Sequence, residues 1–264
     1  MLIIKSNFKN SLLSIVLLLL VSFSSAFAYE RSAKEAWTKL VGENFSKRAE
    51  FAFIENNEKL PNVLIYGDSI SIHYTNTVRK QLAEKANIYR LYRNGGDSAS
   101  FIEKMNKMHG TMNNSLLGGA WAFNWDIIHF NVGLHDLKYA INKKLDKVNG
   151  KRVNSIEQYE KKLRGIVTYL KQLAPKATLI FATTTPIPEG EPGRVVGDAA
   201  KYNFVALKVM KDFPEVKIND LYNFTKANHS LWWAAEGNVH YNKLGREAQG
   251  VEVARNIISH LAND

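Results

Sequence analysis

The chain has 264 residues, no cysteine, and 35 lysines and arginines against 25 acidic residues, giving a formal charge of +10. That length suits one α/β domain with a full core. The lack of cysteine excludes a disulfide scaffold, a thiolate nucleophile and a lipid-bearing cysteine.

The first segment reads as an address rather than as structure. Lys5 and Lys9 precede an apolar run from Leu12 to about Phe23, and Ala26-Phe27-Ala28 closes it with a small-x-small cleavage pattern. Residues 1–28 are therefore expected to be a secretory signal peptide. The competing reading is an uncleaved anchor, but the apolar run falls short of the ~20 residues a spanning helix needs. Residues 29–264 then form a single exported domain, periplasmic or secreted, with no membrane insertion after cleavage and a charge of about +8.

Beyond the signal, apolar runs alternate with helical periodicity. "NVLIYG" (62–67) reads as a buried strand, and 71–86 as a helix with Ile72, Val78, Leu82 and Ala86 towards one face. "IYRLYR" (88–93) is a second strand, 98–108 a helix, and "WDIIHFNVG" (125–133) a third strand. A long amphipathic helix covers 155–175, with Ser155 and Gln158 spaced as a capping box and Pro175 at its end. A fourth strand (177–185), a helix (198–213), a short fifth strand (216–220) and a final helix from Lys243 to Leu261 complete the chain.

Strands separated by helices of this length imply right-handed crossovers and a mostly parallel sheet between two helical layers. Ligand sites in such sheets lie beyond the carboxyl ends of the strands. Four loops open there: Gly67-Asp68-Ser69, Asn94-Gly95-Gly96, Gly133-Leu134-His135-Asp136, and Thr183 to Pro188. A serine hydroxyl is a weak nucleophile unless a base takes its proton and donors hold the developing oxyanion. Ser69 is the candidate nucleophile. His240, just before the final helix, is the candidate base, because the last loop of a doubly wound sheet can return to the first strand.

These residues fall in an order that resembles the SGNH/GDSL hydrolases. "GDSIS" matches that family's first block, with Ser69 as nucleophile. "NGGDS" resembles the second, whose glycine donates a backbone N–H, here Gly96; "GLHD" stands at the third; "VHYNKLG" resembles the last, with His240 as base and Gly245 in the helix that follows. The match runs from about Asn62 to the C-terminus. It implies a three-layer α/β/α sandwich with a five-stranded, mostly parallel, flavodoxin-like sheet. It also implies hydrolysis of an ester through an acyl-serine, with no cofactor and no metal. "HFNVGLHDLK", "TTTPIPEG" and "INDLY" further resemble a subgroup of exported bacterial members associated with carbohydrate-ester chemistry.

Two positions depart from the family pattern. The third block usually supplies an asparagine side chain to the oxyanion, and His135 stands there; an imidazole N–H can replace it if the ring carries its proton on the correct nitrogen. The family also places an aspartate three, in some members two, residues before the histidine. Those positions are Gly237 and Asn238. Asn238 can orient the base through its carbonyl oxygen but brings no charge. Glu236, four before, is a rival, and a backbone carbonyl is a third option.

Other features read more simply. Asp68 suits the turn, Asp136 anchors its loop, and Trp232-Trp233 either line a sugar wall or pack the loop. Arg194 in "PIPEGEPGRVVGD" is placed to reach an anionic substrate. Scattered lysines such as Lys80, Lys104 and Lys161 describe a solvated basic surface or one drawn to an anionic polymer. Export and the absence of any nucleic-acid module exclude nucleic acid. The expected partner is a small-molecule or carbohydrate ester, and no oligomeric state follows. Two other functions use the same residues: a binding protein that kept the fold with little turnover, and an acyltransferase.

Overall fold

The computed structural model describes residues 32–261; the signal-peptide reading for residues 1–28 lies outside them. The described chain opens with α1 (residues 32–41) and α2 (Glu43–Ser46), followed by β1 (Asn62–Tyr66), α3 (Ser69–Gln81), β2 (Asn87–Arg90) and α4 (Phe101–Met112). Next come β3 (Ile127–Phe130), the short strands β4 (Tyr139–Ile141), β5 (Lys144–Leu145) and β6 (Lys151–Arg152), and α5 (Ile156–Leu173). The chain then forms β7 (Thr178–Ala182), α6 (Asp198–Lys211), β8 (Lys217–Asn219), α7 (Leu221–Lys226), α8 (His229–Trp232) and α9 (Lys243–Ile258).

The main sheet has the order β2-β1-β3-β7-β8, and every pair in it is parallel. Such strands are covered on both faces, which explains their unbroken apolar runs: all five residues of β1 and all four of β3 are buried. The handedness of the crossovers then assigns the layers. The step from β1 to β2 runs one way along the sheet; the steps from β2 to β3, β3 to β7 and β7 to β8 run the other way. Right-handed connections therefore put α3 on one face and α4, α5 and α6 on the opposite face. α9 returns from the far edge to pack along α3, while α5 packs against α6 and α4. This is the expected three-layer sandwich.

Several element boundaries differ from those the sequence periodicity suggests, and the differences have local causes. The first long helix starts at Ser69 itself, capped by Asp68, whose side chain accepts from the Ile70 N–H at 2.9 Å. It ends at Gln81, although Leu82 and Ala86 continue its buried face as a turn. The capping box at Ser155 and Gln158 forms in full. The second antiparallel sheet, β5-β4-β6, has no counterpart in the sequence reading. Its strands of two or three residues carry lysines and arginines and show no alternating apolar pattern. It clamps the loop beyond β7: the Tyr139 N–H donates to the Gly193 carbonyl and the Lys147 N–H to the Pro192 carbonyl.

Candidate active site

The site lies at the carboxyl edge of the sheet, where the chain direction reverses between β1 and β3. β1 leads directly into the first turn of α3, so Ser69 is the first residue of a helix. The first N–H groups of a helix lack intrahelical acceptors, so the Ser69 N–H is available to an oxygen outside the helix. The loop after β2 leans on this turn, with the Gly95 N–H donating to the Gly67 carbonyl at 2.9 Å. At the start of the loop after β3, Gly133 has φ +145° and lies so close to Thr184 that a Cβ would come within 2.3 Å of its hydroxyl.

Ser69 and His240, 171 residues apart, meet at the site: Nε2 lies 2.8 Å from Oγ. On the other side of the ring, Nδ1 lies 2.8 Å from Asn238 Oδ1. That same Oδ1 accepts the backbone N–H of His240 at 2.9 Å. A backbone N–H can only donate, so the amide oxygen must face it, and the amide cannot turn its NH2 group to the ring. Nδ1 therefore carries the ring proton, and Nε2 is left as the acceptor for the Ser69 hydroxyl. An amide that turned its NH2 to Nδ1 would impose the wrong tautomer.

The loop holding this pair is tied at several points. The His240 carbonyl accepts from Ala234, and Asn242 caps α9 by accepting from the Gly245 N–H at 3.0 Å. Glu236 is exposed, and no bond joins it to His240 among the described residues, so of the three candidate orienters Asn238 is the one in contact. His73, one helical turn after Ser69, packs its ring edge-on to His240 with centroids 5.3 Å apart. The sequence reading missed His73, although its i+4 spacing from Ser69 places both on one helix face. Burial, with the Arg194 and Arg246 cations nearby, holds the His240 pKa below its ordinary value, so the base is neutral and ready to accept a proton.

Two expected oxyanion donors, Gly96 and His135, lie between the pair in sequence. The Gly96 N–H donates to Asn94 Oδ1 at 2.9 Å, so service to an oxyanion requires it to exchange or share that bond. His135 lies in the loop after β3, with its Nδ1 3.1 Å from Lys138 Nζ. Its neighbours in sequence are pinned. Asp136 accepts from the Ser98 N–H, the Ser98 hydroxyl at 2.5 Å and Asn154 Nδ2 at 2.7 Å; Arg194 donates to the Leu134 carbonyl at 2.9 Å. Asp136 thus anchors its loop as expected.

Arg194 behaves differently from its sequence reading. It is 5 % exposed, and its guanidinium is committed to the Leu134 carbonyl and to a buried ion pair with Glu191 at 2.6 Å. It braces the loop instead of reaching outward. Trp232 is buried against Phe224, in the packing alternative. Trp233 joins Ile187, Pro188, Glu189, Val196 and Glu236 around a groove of about 710 Å³ beside the His240 loop.

No protein-family model and no curated protein matches the chain. Solved structures do. A lipase/acylhydrolase from Enterococcus faecalis aligns with a TM-score of 0.57 at 16% identity, covering 77% of this chain and 98% of its own. A chain described as a GDSL-like lipase, from Parabacteroides merdae, gives 0.58 at 16%, covering 75% and 96%. The fold is that of the SGNH/GDSL hydrolases. The acetylxylan esterase Axe2 from Geobacillus stearothermophilus shares this fold, with a TM-score of 0.53 at 16% identity over 77% of this chain and 95% of its own. The acetyl xylan esterase AlAXEase aligns at 0.55 and 16% over 74% and 99%. Ser69 and His240, the two residues that the motif order singled out, are the pair that meet at 2.8 Å on this fold.

Proposed function

We propose that the protein is an exported serine esterase that removes a small acyl group, such as acetyl, from a carbohydrate. The observation that carries this reading is the relay Ser69–His240–Asn238, with both contacts at 2.8 Å and the ring proton held on Nδ1. Ser69 Oγ attacks the ester carbonyl as its proton passes to His240 Nε2. The oxyanion takes hydrogen bonds from the Ser69 N–H, the Gly96 N–H and the His135 ring. Collapse of the tetrahedral intermediate breaks the bond to the alcohol oxygen, which receives the proton from Nε2. Water, deprotonated by the same nitrogen, then releases the acid from Ser69.

The carbohydrate and the small acyl group are supported by the acetylxylan esterases among the structures of like fold and by the groove beside the His240 loop, whose volume of about 710 Å³ exceeds that of a sugar ring. Export is supported by the Lys5-to-Ala28 segment. The test is labelling with a fluorophosphonate probe. Labelling at Ser69 that vanishes in His240→Ala supports the esterase. An unlabelled native chain rejects it.

One observation favours a second reading, a slow or silent enzyme retained for binding. Asn238 orients the base but cannot offset the imidazolium charge. Labelling at Ser69 without turnover of acetylated sugars would favour that reading.

A further inference from the structure

The third-block loop carries an imidazole where an amide is usual, and an imidazole has a problem an amide lacks. A neutral ring has one proton and two nitrogens that can hold it. Which nitrogen holds it decides which edge of the ring can donate. Lys138, three residues further on, has its Nζ 3.1 Å from His135 Nδ1. An ammonium has protons to give and no lone pair to receive one. Nδ1 must therefore be the acceptor, and the single ring proton resides on Nε2. Nε2 has no partner among the described residues and is not a buried unpaired atom, so it is open to solvent.

We propose that Lys138 is a positioning residue that locks His135 in its Nε2–H tautomer, making that N–H the electrophilic donor to the oxyanion. The donor role rests on the esterase reading; the lock stands on geometry alone. The cation also polarises the ring. A hydrogen bond from an ammonium draws density from Nδ1 and makes the opposite N–H a stronger donor, as charge assistance does elsewhere. The ring remains neutral in this arrangement. Burial, with Lys138, Arg194 and Lys104 nearby, holds its pKa down at about 3, so no proton competes with Lys138 for Nδ1. The loop cannot readily release the ring, because the Leu134 carbonyl and the Asp136 carboxylate on either side are both tied down. Lys138 thus supplies through one hydrogen bond the orientation that an asparagine side chain has by its covalent structure.

The experiment is two-bond 15N–1H NMR of the ring nitrogens in the full protein, assigned with His135→Asn. Native His135 is expected to show a bare Nδ1 and a protonated Nε2. In Lys138→Met the proton should redistribute towards Nδ1, while Lys138→Arg retains the native pattern. Unchanged His240 ring signals report that each variant is folded. With 4-nitrophenyl acetate, Lys138→Met should lose roughly ten- to a hundredfold in kcat with KM within about twofold, less than the full loss of an oxyanion donor. Lys138→Arg should recover most of it. A native ring protonated on Nδ1, or a native-like tautomer in Lys138→Met, overturns the lock and leaves the esterase reading standing. A redistributed tautomer with unchanged kcat overturns the donor role. A locked native ring in a chain that hydrolyses no ester removes the esterase reading and leaves the lock intact.

Discussion

Asn238 Oδ1 accepts two hydrogen bonds from His240, one from its backbone N–H at 2.9 Å and one from its ring at 2.8 Å. The first makes the second useful, because it prevents the amide from presenting its NH2 group to the ring. What the amide does not provide is negative charge beside an imidazolium.

Asn238→Asp supplies that charge at the same atom. The carboxylate keeps both hydrogen bonds and stabilises the protonated base in the transition state. Turnover of an acetyl ester is expected to rise by roughly tenfold or more, a fraction of the ~10⁴ that separates acid from amide in serine proteases. Asn238→Ala, which releases the tautomer, is expected to lower it. Steady-state kinetics on the three proteins decide this; a slower Asn238→Asp would contradict it.

The acid limb of the rate profile follows from the base. On the proposed esterase reading, activity needs neutral His240 and falls as pH drops through its pKa. Burial first, then Arg194 and Arg246, disfavour the imidazolium, so this limb lies below the ordinary histidine value of ~6.5. Arg246→Gln removes one cation and should move the limb upwards. A limb that stays in place or moves down would refute the electrostatic account.

Restoring the family's acid three residues before the histidine should fail in this chain. Gly237 has φ +66°, and a Cβ there would lie 2.9 Å from the Gly190 carbonyl oxygen. Gly237→Asp is expected to cost about 1–3 kcal/mol of stability from the backbone conformation alone. It should not raise turnover, in contrast to Asn238→Asp. Chemical denaturation of the two variants side by side separates the effects.

Acid should weaken the fold well above the carboxylate range. Burial holds His73 and His129 at about 4 and His135 at about 3, against ~6.5 for an unfolded histidine. Their contribution is complete above pH ~6.5 and is lost as pH falls towards about 4. Asp136 opposes them. Burial raises it to about 6, so its carboxylate costs stability at neutral pH, and that cost is relieved as pH falls through 6. His229, also held at about 4 by burial, adds to the loss, and buried Asp68, raised above its ordinary value, adds to the opposing side; the histidines outnumber the two carboxylates and leave a net loss. Calorimetry should find a Tm several degrees lower at pH 4.5 than at pH 7; equal values would contradict the balance.

Much of this was legible before folding. The buried strands announce themselves because parallel strands covered on both faces must be apolar throughout, as β1 and β3 are. Ser69 and His240 were legible because their motifs occur in order, one directly after β1 and one just before the final helix. The β4-β5-β6 sheet was not, because its strands are held by backbone bonds to the Gly193 loop and carry no hydrophobic code. Arg194 was misjudged for a related reason. An arginine in a Pro- and Gly-rich loop looks exposed until the loop is folded under the β4-β5-β6 sheet and the guanidinium meets Glu191.

By itself, the sequence determined the layer order, the edge of the sheet where chemistry gathers, and the residue types available there. These follow from local periodicity and from the handedness of L-amino acid chains. Tertiary structure decided which polar groups face one another: Asn238 rather than Glu236 on His240, Lys138 on His135, Arg194 on Leu134. Hydrogen bonds are directional and act over a few ångströms. Their pairing is set by how loops distant in sequence are brought together, and no pattern along the chain encodes that distance.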